Sequence, residues 1–104
     1  MISDERAEKA LTYLAETDLK AAELKADVER CEYKLKAMKA AVFKHSSGTV
    51  AERQAEAETD SRVEFEWKDH VEAIKAYSAV HNKRQTEALV IEVWRSVQAN
   101  RRHG

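Results

Sequence analysis

A chain of 104 residues has room for one domain and no second. Charged side chains make up 36% of it, proline is absent, and the only glycines are Gly48 and Gly104. This profile belongs to long helices or coiled coil and argues against disorder, because apolar residues are numerous and regularly placed. The net charge of −1 supplies no bulk field toward nucleic acid or a membrane. Cys31 is the sole cysteine, which excludes an intramolecular disulfide. No apolar run has the length of a membrane span, and the first twenty residues carry acids where a signal peptide is apolar. A cytoplasmic protein is expected.

The first element is a long helix from about Ser3 to His45. One seam position reads Ala7, Leu14, Ala21, Val28, Leu35 and Val42, and its companion reads Ala10, Thr17, Leu24, Cys31 and Met38. An unbroken heptad of this length is a coiled-coil signal. The next residues, 46–49, form a turn. Gly48 is the only internal residue that takes positive φ without a Cβ clash. Thr49-Val50-Ala51-Glu52 matches the capping box, in which hydroxyl and carboxylate satisfy the first amides of a helix.

A second helix is expected over 50–100. Its seam reads Val63, Trp67, His70, Ile74, Tyr77, His81, Arg84, Ala88 and Ile91, with polar members interrupting the pattern. Asp60-Ser61-Arg62-Val63-Glu64 can also start a helix, which allows a kink near Asp60; the continuous helix is the first choice.

Charge orients the two helices. Residues 1–19 carry −3, residues 20–44 carry +3, residues 51–72 carry −5 and residues 83–104 carry +3. Folding back at Gly48 sets acidic blocks beside basic ones, whereas a parallel alignment sets −3 against −5. The fold class predicted is therefore all-α, a long antiparallel two-helix hairpin, with Val28 near Trp67 and Ala7 near Ala88.

From Thr86 onward the second helix is apolar on two faces. Thr86, Val90, Val93 and Val97 form a stripe about 160° from the seam at 100° per residue, with Leu89 and Trp94 between the two. Burying both faces calls for dimerisation into a four-helix bundle, with an interface of Leu89, Val90, Val93, Trp94 and Val97. The competing reading is a docking patch for a different protein.

Candidate chemistry is sparse. His70 and His81 fall on the seam, where a hydrogen-bonded interior histidine is the ordinary reading. The paired Glu-x-x-His motifs of a di-metal bundle are absent, as are zinc-protease and glycine-rich phosphate motifs. Cys31 at an inward position behaves as a small hydrophobe. No catalytic constellation, cofactor or metal site is expected, and the protein reads as no enzyme. Arg95, Arg101 and Arg102, with Trp94 and His103, make a compact basic end. Complementing the helix dipole explains it first, contact with a protein partner second, and weak, salt-sensitive contact with phosphates third.

The segments Gly48-Thr49-Val50-Ala51-Glu52-Arg53 and Ala88-Leu89-Val90-Ile91-Glu92-Val93-Trp94-Arg95, closed by Asn100-Arg101, resemble small helical proteins of bacteriophage and prophage genomes. Those proteins are often encoded near recombination or single-strand-annealing genes. The resemblance implies an accessory role in phage DNA metabolism in the bacterial host cytoplasm, exercised by binding a protein of recombination, replication or repair. Inhibition of a host defence or repair nuclease, weak single-strand binding and a structural assembly role are the alternatives.

Overall fold

The computed structural model describes residues 1–103; Gly104 lies outside them. The protein is all-helical: α1 spans Asp4–His45, α2 spans Val50–Thr59 and α3 spans Ser61–His103. None of the described helices is long and apolar enough to cross a membrane.

The turn is built as its sequence requires. Gly48 has φ of 107°, and a Cβ there would meet the Glu52 carboxylate oxygen at 2.6 Å. Thr49 caps α2: its Oγ1 accepts from the Glu52 amide at 3.2 Å and donates to the Glu52 carboxylate at 3.2 Å. Both ends of α1 carry charges of favourable sign, Asp4 and Glu5 in the first turn and Lys44 in the last.

The continuous second helix expected from the sequence is corrected by a break of one residue. Asp60 has φ −65° and ψ 134°, outside the helical region. Its amide donates to Glu56 O at 3.0 Å, ending α2, while its carbonyl accepts from the Glu64 amide at 3.0 Å, starting α3. The side chain completes the start: Oδ1 accepts from the Arg62 amide at 2.8 Å, and the Arg62 guanidinium forks onto both carboxylate oxygens at 3.0 Å. Asp60 is thus C-cap and N-cap at once, which an aspartate tolerates because its short carboxylate replaces the helical bond.

Burial along α1 follows the expected heptad. All eleven seam residues from Ala7 to Val42 are buried or half-buried. Along α3 one position of each heptad agrees; of its companions His81 is half-buried as expected, while Trp67, Ile74 and Ala88 are not. Covered residues include Val63, Glu66, His70, Ala73, Tyr77, Val80, Arg84, Glu87, Ile91, Trp94 and Gln98, an unbroken 3–4 alternation, with Ser78, His81, Val90 and Val97 half-covered beside it. The companion position lies one residue earlier than the apolar pattern suggested. Trp67 (51% exposed) and Ile74 (40%) stand outside the seam, and Ala88 is exposed as well.

Contacts gather into two units. In Glu23–Tyr77, Leu35 and Val42 of α1 bury against Ala57 of α2 and Val63 of α3, with Met38 and Phe43 packed beside them. The Arg53 guanidinium lies 4.3 Å over the Phe43 ring, and its Nε donates to Phe43 O at 3.0 Å, tying the start of α2 to the end of α1. In the other unit, Met1–Ala22 packs with the chain from Ser78 onward. Its most buried residues are Ala7 and Ala10, whose small side chains permit close helix approach. No large side chain among the described residues is fully buried, so the core is thin and each buried methylene matters.

Two outcomes follow from this packing. Leu35→Ala should destabilise by about 2–5 kcal/mol in chemical denaturation, while exposed Glu58→Ala should stay within about 0.5 kcal/mol. Equal effects would contradict the seam. The hydrogen bonds from Arg62 hold the Asp60 carboxyl below its ordinary range. Its stabilising contribution is therefore full above a pH of about 3.9 and is lost as pH falls through the lowered folded value. The melting-temperature gap between wild type and Asp60→Ala should close over that acid range, and carboxyl NMR should place the Asp60 midpoint below about 3.9. A midpoint at or above that value would contradict the fork.

Candidate functional site

The seam between residues 1–22 and the chain from Ser78 is held by polar contacts as much as by apolar burial. Arg84, from a seam position on α3, donates through Nη1 to Leu14 O and to Thr17 Oγ1, both at 2.7 Å. Its Nη2 reaches the Asp18 carboxylate at 3.2 Å. Thr17 passes its own proton to Tyr13 O at 2.7 Å, leaving the hydroxyl oxygen to accept from Arg84. One helical turn on, Glu87 is 8% exposed and receives Arg6 Nη2 on Oε1 at 2.9 Å. Its Oε2 lies 2.7 Å from the same nitrogen, an ion-pair contact without hydrogen-bond geometry, so that oxygen has no donor of its own. Lys83 completes this face, its Nζ 4.5 Å over the Tyr13 ring.

These contacts draw one of the expected interface residues into the chain's own seam. Trp94 belongs to the seam: its Nε1 donates to Asp4 Oδ1 at 2.8 Å, and Gln98 Nε2 reaches the same oxygen at 3.4 Å. Val90 and Val97 are half-buried within the chain. Of the five residues assigned to one apolar interface, only Leu89 (63% exposed) and Val93 (44%) stay open. The pairing of Ala7 with Ala88 is approximated by the neighbouring Arg6–Glu87 contact. Trp67 does not face the seam; with Lys39, Glu58, Thr59, Val63 and Glu64 it lines an open groove of about 500 Å³.

The basic end is partly occupied by its own chain. Arg95 is exposed and lies 4.0 Å from Glu92, and Arg101 Nη2 sits 2.9 Å from Met1 Sδ. Arg102 is exposed and borders a shallow groove with Trp94, Arg95, Ser96, Gln98 and Ala99. The His103 side chain, counted with this cluster, lies outside the described residues. Among the described residues no group of three His, Cys, Asp or Glu is placed to hold a metal ion. Cys31, on the seam, is half-buried.

One apolar face of α3 also remains open. Trp67, Val71 (38% exposed) and Ile74 follow one another at i, i+4 and i+7, with Phe65 (62%) nearby. At 100° per residue the three share one face of about 60°. Sequence reasoning placed two of them inside because they are more hydrophobic than Glu66 and Ala73, which occupy the seam instead. The residue that separates the two registers is Trp94, three places after Ile91 and bonded to Asp4 of α1.

Trp94→Phe keeps the ring and removes the bond to Asp4. It should destabilise by about 0.5–1.5 kcal/mol. Leu89→Ala, at an open position, should stay within about 0.5 kcal/mol. The reverse order in thermal or chemical denaturation would return Trp94 to an outer face. Compared with protein-family models, with curated proteins and with solved structures, the chain matches none of them.

Proposed function

We propose that the chain is a non-enzymatic accessory protein of phage DNA metabolism. It is an antiparallel helical hairpin that self-associates into a four-helix bundle and docks a protein of recombination, replication or repair. The observation that carries the binding role is the apolar exposure of one helix. Phe65, Trp67, Val71, Ile74, Leu89 and Val93 of α3 are each between 38% and 63% exposed. Open apolar residues on a helix otherwise rich in charge, such as Trp67, Val71 and Ile74 on one face and Leu89 and Val93 further along, are the mark of surfaces meant to be covered. The assignment to phage DNA metabolism rests on the resemblance carried by the turn and by Ala88–Arg95. Inhibition of a host nuclease would use the same surface. Arg95, Arg101 and Arg102 offer too few open cations for nucleic acid to be the main ligand: Arg95 is engaged by Glu92, and each phosphate contact is individually weak and screened by salt.

The test is capture of host and phage proteins on immobilised wild type and on a Leu89→Glu, Val93→Glu double variant. Circular dichroism confirms equal helicity of the two. A protein retained by wild type and lost with the double variant is the expected result. Identical capture by both would remove this surface from the proposal. Tight, steeply salt-dependent binding of single-stranded DNA by both would replace protein docking with nucleic-acid binding.

A further inference from the structure

The reading above leaves open where a second copy sits. We infer that two copies pair antiparallel through the Trp67–Val71–Ile74 face of α3, and this rests on the proposed self-association. The apolar face is bordered on one side by four exposed charges, Glu64, Lys68, Glu72 and Lys75. Taking Trp67 as zero and 100° per residue, Val71 and Ile74 fall within about 40° of it. The four charges fall between about 60° and 140°, all on the same flank.

The order of these charges is what selects the occupant. Read along the helix it is acid, base, acid, base; read backwards it is base, acid, base, acid. When two such helices run antiparallel about a two-fold axis, like flanks meet. Glu64 then faces Lys75 of the second copy and Lys68 faces Glu72 of the second copy, with both pairs repeated by symmetry. The register that makes these pairs also sets Trp67 against Ile74 of the second copy and brings the two Val71 side chains together near the axis. The apolar and ionic registers differ by a relative slide of about two residues, about 3 Å, which the long Glu and Lys side chains span. In a parallel pairing about a two-fold axis this charged flank would lie opposite the other flank of the second copy, so the four charges would not meet and no such pairs would form. Within one chain Lys68 lies 3.2 Å from Glu64, so it is already turned to this flank, and Lys75 has no ion-pair partner among the described residues. The seam to α1 lies about 100° away on the other side of α3, so covering this face leaves the intrachain contacts intact.

The surface left open on the three apolar residues is modest, so the pair should be a reversible dimer. Sedimentation of the intact protein at tens of micromolar should give a dimer that Ile74→Glu converts to monomer with unchanged helicity. Lys75→Glu should weaken it several-fold, and adding Glu64→Lys to that variant should restore it. In a Cys31→Ser background, Val71→Cys should form a disulfide-linked dimer on mild oxidation, whereas Leu89→Cys should not. A dimer that survives Ile74→Glu and dissociates with Val93→Glu would overturn this placement while leaving self-association standing. A wild type that remains monomeric would overturn both.

Discussion

The arrangement of residues 1–22 with the chain from Ser78 depends on Arg84. A guanidinium at a seam position loses water as the helices close, and it must recover its hydrogen bonds from the facing helix. It does so on Leu14 O, Thr17 and Asp18. A shift of one residue would move the hydroxyl and carbonyl out of reach, and a shift of one turn would set the cation against apolar Ala10 or Ala21. Apolar residues alone would tolerate several alignments of two such helices. The Arg84 contacts, and the Arg6–Glu87 pair one turn away, permit one. Here polar residues in the seam give up some apolar burial and fix alignment in exchange, a use of buried polar groups well attested in coiled coils.

This division of labour explains how much of the fold was legible in the sequence. On α1 the seam is carried by apolar residues at regular spacing, so periodicity locates it along the whole helix. The turn is legible for a different reason: Gly48, Thr49 and Glu52 each have a local conformational role that no tertiary contact has to supply. On α3 the companion seam position is taken by Glu66, Ala73 and Glu87, and a hydrophobicity count looks past them to Trp67, Ile74 and Ala88. The information was present, but in a form that requires a partner helix to interpret. Glu87 reads as a surface residue until Arg6 is opposite it.

The break at Asp60 follows the same logic on a smaller scale. Its capacity to start a helix is visible in the sequence, yet whether it interrupts a longer one depends on the balance between one lost helical bond and the Arg62 fork with the amide it accepts. The candidate surface was legible only in part. Leu89 and Val93 are open, while Val90 and Val97 are half-buried and Trp94 is bonded to Asp4 of α1. The error in register on α3 therefore had two consequences: it buried a face that is open and opened residues that are half-covered. Both consequences reduce to the choice of companion position in the heptad.

A double-mutant cycle between Arg84 and Thr17 tests the central claim most directly. Arg84→Ala, Thr17→Val and the double variant would be compared by chemical denaturation at equal protein concentration. Residues in direct hydrogen-bonded contact should show a coupling free energy of about 0.5–3 kcal/mol. Strict additivity of the two single substitutions would mean that Arg84 does not meet Thr17 across the seam, and the alignment built on that contact would be contradicted.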